Sequence, residues 1–188
     1  MKETTHDYCH DIYEIAIEIN SVGTVQGILQ SVAEQVTRDL NAKGCSILLL
    51  SPNKKFLEHS ISYGLSDAFI KIGPRAVAKS LPETVTGKGS VTIVHDLNEE
   101  SDRVQFPDAA KAEGIVSILA VPMTLKGNII GQLRVYTAER RDFSEDDIFF
   151  VRAVADLGAL ALDNAQLHEN LEKAYRSLST NMSTFKIW

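Results

Sequence analysis

Apolar residues recur at helical spacing before residue 45 and again after residue 144, while between these points they fall in short runs broken by turn residues. That change of period constrains the fold class more than any other feature: helices at both ends of the chain and strands in the middle, an α+β arrangement. Tyr8, Ile12, Ile15, Ile19 and Val22 follow one another at spacings of 4, 3, 4 and 3, so all five share one helical stripe. Thr24 is placed to cap a second helix. Val25, Ile28, Leu29, Val32, Val36 and Leu40 line one face of it, and Gly44 reads as its stop signal. Residues 45–50, 56–63, 91–94, 115–123 and 129–137 read as five strands. In the second, His59, Ile61 and Tyr63 share one face and Glu58, Ser60 and Ser62 the other. Leu125-Lys126-Gly127-Asn128 forms a hairpin turn between the last two.

Two longer connections interrupt the strands. Residues 64–90 carry Gly64, Gly73-Pro74, Pro82, Gly87 and Gly89. Residues 96–113 are polar, with a short helix expected over 107–113, Pro107 at its start and Gly114 after its end. Irregular crossings over one sheet are where binding pockets form.

At 188 residues the chain is long enough for roughly one domain. A charge of −6 argues against a general nucleic-acid binder, which carries a basic stripe. No apolar run approaches the ~20 residues that span a bilayer, and the first residues lack the apolar stretch of a signal peptide. Two cysteines, Cys9 and Cys45, make no disulfide framework. The expectation is a soluble, reduced, cytoplasmic protein with neither nucleic acid nor membrane as a partner.

The terminal helix opens at Ser144, where Asp147 three residues on completes a capping box with Asp in place of Glu. Asp146 and Asp147 also suit the positive end of the helix dipole. The pattern predicts a helix over 144–178 and a polar, frayed tail over 179–186. Phe150, Ala153, Leu157, Leu160, Asn164, Leu167, Leu171, Ala174 and Leu178 alternate at spacings of 3 and 4, a sustained heptad seam with Asn164 at an a position. A single Asn there selects register and parallel two-stranded pairing. The first half of the helix also covers its own domain, since Val151, Val154 and Ala155 are apolar; beyond Asn164 only the narrow stripe remains. A homodimer follows as the expectation, and the N-terminal stripe is placed to join the same interface as a four-helix bundle. The chain divides into residues 1–22 as an N-terminal helix contributing to that bundle, 23–165 as the domain, and 166–188 as the coiled-coil extension and tail.

The order of elements resembles a GAF domain. Gly114-Ile115-Val116-Ser117-Ile118-Leu119-Ala120-Val121-Pro122 resembles the family strand with a G-x-x-S-x-L-x-V-P pattern. Asn128-Ile129-Ile130-Gly131-Gln132-Leu133-Arg134-Val135-Tyr136 is similar to the strand that follows it. Phe143-Ser144-Glu145-Asp146-Asp147, then Ala155, Ala161 and Asn164-Ala165-Gln166-Leu167, resembles the closing helix. The likeness covers residues 10–170. It implies an antiparallel sheet with helices on one face, irregular crossings on the other and a long C-terminal helix. It also implies a sensory module, which binds a small molecule between sheet and crossings or serves to dimerise, and which signals through its exit helix to an output protein such as a histidine kinase. No output domain follows Leu178, so the sequence reads as a stand-alone protein acting in trans or as a piece of a longer one.

On the last strand Gly131, Leu133, Val135 and Thr137 share one face, expected to pack on the helices. Gln132, Arg134 and Tyr136 share the other, which would then look toward the crossings. An Arg134 guanidinium there would clamp a carboxylate or phosphate bidentately; the plainer alternatives are a salt bridge to a crossing carboxylate, or exposure. Tyr136 is equally readable as a core ring with its hydroxyl satisfied by backbone. From the crossings His95, Arg103, Phe106 and Ala110 are candidates to cap the pocket.

The ligand itself is not identified, nor any cofactor. Cyclic-nucleotide-binding members carry an Asn-Lys…Phe-x-x-x-Asp-Glu signature; here Phe143 and Asp147 match but Ile148 replaces the Glu. Covalent bilin attachment needs a pocket cysteine, and neither Cys9 nor Cys45 fits. Haem needs an axial ligand, for which the crossings offer only His95, more simply read as a turn cap. The enzymatic relative, free methionine sulfoxide reductase, needs an attacking and a resolving thiol; residues 80–115 contain no cysteine, so an enzyme is not expected. Cys9 and His10 fall three and four residues after His6 and could share a helical face with it, but structural zinc takes four ligands at tighter spacing. Two readings remain: a ligand-sensing module signalling through a coiled-coil dimer, and a dimerisation scaffold with no ligand.

Overall fold

A computed structural model describes residues 8–21, 24–86 and 89–184. Helices α1 (Tyr8–Ser21) and α2 (Val25–Asp39) lead into strands β1 (Gly44–Leu50) and β2 (Phe56–Tyr63). The first crossing holds the short helix α3 (Asp67–Ile70) and a two-residue strand β3 (Arg75–Ala76). Strand β4 (Thr92–Val94) follows, then the second crossing with α4 (Pro107–Ala112), the hairpin β5 (Ser117–Leu125) and β6 (Asn128–Thr137), and α5 (Glu145–Thr184). The six strands form one sheet in the order β3-β2-β1-β6-β5-β4, every pair antiparallel. This is the expected α+β architecture.

The period-2 alternation sorts side chains cleanly between the faces. Leu119, Val121 and Met123 of β5 and Leu133 and Val135 of β6 join α1, α2 and α5 in the main core. Ile118 and Ala120 of β5 and Tyr136 of β6 face the crossings, where they pack with Phe69, Leu81, Val94, Leu97, Val104 and Ala110. The sheet therefore carries helices on one face and crossings on the other.

Local signals explain the element ends. Thr24 Oγ1 accepts the Gly27 N–H at 3.2 Å, capping α2. The stop is earlier than Gly44: Asn41 takes the left-handed conformation at φ 46°, and the Ala42 N–H returns to the Thr37 carbonyl. Gly44 opens β1 instead. Lys126 and Gly127 both have positive φ, the type I′ geometry that matches strand twist. At the start of α5, Ser144 Oγ accepts the Asp147 N–H and Asp147 Oδ2 accepts the Ser144 N–H, each at 3.1 Å, completing the capping box. Asp147 also accepts the Tyr8 hydroxyl at 2.5 Å, and the Tyr8 ring stacks on Phe150.

Tyr8, Ile12 and Ile15 of the α1 stripe pack on this chain's own core; the side chain of Ile19, and Val22 entirely, lie outside the described residues. The terminal helix runs past the end expected at 178, since α5 continues to Thr184, and residues 185–186 of the expected tail lie outside the described residues. In β2 the face assignment fails at His59. The β1–β2 register shifts between Ile47 and Leu48, so Ile61 pairs with Ile47 but His59 pairs with Leu48. Ser60 is the extra residue of a β-bulge, and it turns His59 to the crossing face, away from Ile61 and Tyr63.

Candidate functional site

Strand β6 supplies the floor of the site. Gln132, Arg134 and Tyr136 lie on its crossing face, as the alternation requires, and all three are buried. Arg134 is 1% exposed and is one of the largest side chains in the interior. Among the described residues no carboxylate salt-bridges it, and the side chain is closed to bulk solvent. Its Nε donates to Gln132 Oε1 at 3.1 Å, and one Nη donates to both the Ser80 carbonyl and the Ser80 hydroxyl, each at 3.0 Å. Burial pushes the guanidinium down to about 10; the Tyr136 phenol opposes that push and the charge on Arg75 adds to it. Arg134 is still a cation at neutral pH. Tyr136 is a core ring, edge-on to Phe69, whose hydroxyl shares a hydrogen bond of 2.8 Å with Ser46 Oγ rather than with backbone.

The first crossing adds a second cation. Arg75, on β3, is 5% exposed and stands 5.3 Å from the centre of the Phe69 ring. Among the described residues no carboxylate pairs with Arg75 or with Arg134. Among the described residues, three buried nitrogens of this face have no hydrogen-bond partner: Arg75 Nη1, Gln132 Nε2 and His59 Nε2. Because Arg134 can only donate, Gln132 must turn its oxygen to Arg134, leaving its amide nitrogen unmet. His59 has its pKa lowered by burial and by the Arg75 charge. The crossing face thus holds two buried guanidiniums, a neutral imidazole and donor hydrogens in excess.

Not all the sequence candidates join this cluster. Ala110 packs with Tyr136 in the crossing-side core. Phe106 is half-buried at the N-cap of α4. His95 is turned outward: its Nδ1 lies 3.1 Å from Asp142 and its backbone N–H is capped by Glu100. Arg103 donates to the Ile93 carbonyl and to Glu100, tying the second crossing to β4. Both side chains are engaged in these ties. Cys45 is buried in the helix-side core, where burial pushes its thiol up, well away from reactive thiolate chemistry. Phe143 and Asp147 likewise lie on the helix side, in the core and the α5 cap. Of the N-terminal histidine–cysteine group, His6 and the Cys9 side chain lie outside the described residues; His10 pairs with Glu14. Among the described residues no cluster of metal-ligating side chains occurs.

Sequence reasoning missed Arg75, Ser80 and His59. A two-residue strand has no periodicity to read, and the bulge at Ser60 hides the orientation of His59. The Gly73-Pro74 turn just before Arg75 was the available signal for a chain reversal there.

A family model described as GAF domain matches residues 23–163. No curated protein matches the chain. The fold is similar to the GAF domain of a phosphoenolpyruvate-protein phosphotransferase (ptsP) from Coxiella burnetii, at 16% identity over 89% of this chain and 99% of that one, with a TM-score of 0.77. It is similar to free methionine-R-sulfoxide reductase from Neisseria meningitidis, in complex with its substrate, at 15% identity over 89% and 95%, with a TM-score of 0.74. It is also similar to the phycoerythrobilin-bound GAF domain of a cyanobacterial phytochrome, at 16% identity over 87% and 98%, with a TM-score of 0.69.

Proposed function

The chain belongs to the GAF domain family, and on that premise we propose that it is a sensory or regulatory module in which a small molecule, held between the sheet and the crossings, biases a dimer built on α5. The observation that carries the ligand half is the set of unmet donors on the crossing face. Buried polar groups are nearly always paired, and a bound molecule would supply the acceptors that Arg75, Gln132 and His59 lack.

The dimer half draws on α5. Phe150, Val151, Val154, Ala155 and Ala159 are buried against the domain, whereas Leu160, Leu167 and Leu171 are 52%, 58% and 72% exposed. The Lys126–Asp163 ion pair fastens the β5–β6 turn to the helix. The 21 residues from 164 to 184 then extend roughly 30 Å as helix. Parallel pairing would bury the leucine stripe and set Asn164 against its twin. Coupling of the two halves requires a ligand that binds two arrangements unequally. An output protein such as a histidine kinase would receive the signal. The reading is non-catalytic: methionine sulfoxide reduction needs a pair of accessible thiols, and Cys45 is buried on the opposite face of the sheet.

The two bonds from Arg134 to Ser80 favour a second reading, a packed, ligand-free scaffold whose dimer is the whole function. Arg134→Ala separates the two. The sensing reading predicts a wild-type melting temperature that responds to a metabolite in a screen, a response lost in the variant, and the same dimer mass by light scattering in both. A wild type that answers no metabolite leaves the scaffold.

A further inference from the structure

We propose that the crossing-face site takes a small oxyanion with two negative charges, a dicarboxylate or a phosphorylated metabolite, which displaces Ser80 from Arg134 and sits between Arg134 and Arg75. This rests on the reading of that face as a ligand site and narrows what the ligand must be.

Charge balance is the first argument. Two buried guanidiniums face the same cluster with no carboxylate paired to either among the described residues. Buried charge is ordinarily paired. A cationic ligand would add a third positive charge, and a neutral one would leave both unanswered.

Hydrogen-bond polarity is the second. Arg75 Nη1 and Gln132 Nε2 can only donate, and His59 Nε2 donates in one tautomer. The ligand must therefore present acceptors on several sides, which a carboxylate or phosphate group does.

Ser80 is the third. It is fully buried and offers Arg134 two oxygens on a single nitrogen, its carbonyl and its hydroxyl. These are neutral acceptors in the place an oxyanion would take, and charge-assisted bonds to guanidinium are the stronger. The displacement has a defined route outward. Leu81, the next residue, is held at φ 52°, a left-handed conformation unfavourable for leucine, and its N–H donates to the Arg103 carbonyl at 3.2 Å. Arg103 in turn grips the edge of β4 through Ile93. Arg103 is thus a positioning residue that ties the movement of the first crossing to the second.

The test is calorimetric titration of the full chain with succinate, glycerol 3-phosphate and inorganic phosphate, beside uncharged succinamide, all at one ionic strength. Saturable binding of at least one dianion is expected, with none of succinamide. Arg75→Gln and Arg134→Gln should each weaken that dianion at least tenfold, and His95→Ala should leave it unchanged. Ser80→Ala removes a competing hydroxyl without opening a charge in the core; it should tighten binding roughly two- to tenfold. Hydrogen exchange at the Leu81 amide should rise on addition of the dianion. If none of the three dianions binds but succinamide or a neutral co-purified molecule does, the anion assignment is overturned while the ligand site stands. If nothing binds and nothing co-purifies, both fall. A dianion that binds equally to Arg75→Gln and Ser80→Ala also overturns the proposal.

Discussion

Single residues carry stability here in ways that can be measured one at a time. A Cβ on Gly131 would meet the Leu48 carbonyl oxygen at 2.3 Å, a backbone atom at the centre of the sheet that cannot step aside. Gly131→Ala should cost about 1–3 kcal/mol in urea unfolding, the usual range for overpacking; a smaller loss would mean that β1 and β6 part easily. Asp147 gives a pH dependence of definite sign. Burial alone would raise its carboxyl, but the Tyr8 hydroxyl, the Ser144 N–H and the Arg141 guanidinium together hold it below its ordinary 3.8. A depressed carboxylate contributes stability that is complete above its ordinary value and is lost as pH falls through the folded one. Tyr8→Phe removes one donor, so its acid-unfolding midpoint should move to higher pH than the wild type's. An unmoved midpoint would show that the α1–α5 contact does not hold the charge. His59 acts in the same direction at higher pH. Its folded value lies below 6.5, so the unfolded chain binds the extra proton and stability falls as pH drops from above 6.5 through the lower folded value.

At the scale of elements, the sequence was legible where packing obeys a period. The α2 face, the alternation in β5 and β6 and the capping box at Ser144 all stand where their spacing put them. The orientation of Gln132, Arg134 and Tyr136 toward the crossings followed from alternation alone. What was not legible was broken period and distant contact. The Ser60 bulge reversed His59, and β3 was too short to announce Arg75. No local rule says that Arg134 meets Ser80, 54 residues away, instead of an acid. In α5 the seam was readable but not its division, because the same 3–4 spacing serves the domain face and would equally serve the partner face of the proposed dimer. Phe150 is wholly buried, while Leu160 already stands half in solvent. Leu167→Asp should therefore abolish the dimer with little change in the stability of the domain, checked by light scattering and thermal melting. Asn164→Leu should tighten the assembly or change its stoichiometry. A wild type that is monomeric at all concentrations would sink the coiled-coil account.

For the whole molecule, one sheet separates two kinds of interior. The helix side is apolar and continuous, and it anchors the first third of α5. The crossing side is smaller and mixed, with two guanidiniums and unmet donors under connections joined by a few hydrogen bonds. That asymmetry suits a module that is rigid where its exit helix is rooted and adaptable where a ligand would enter. Among the described residues no helix is long and apolar enough to cross a membrane. Native mass spectrometry of the purified chain, repeated after denaturation, tests the central claim most directly, since it reads stoichiometry and bound small molecules together. The account predicts a dimer carrying a discrete small mass per chain, released on denaturation and detected as an anion. A monomer of the same mass before and after denaturation would contradict it.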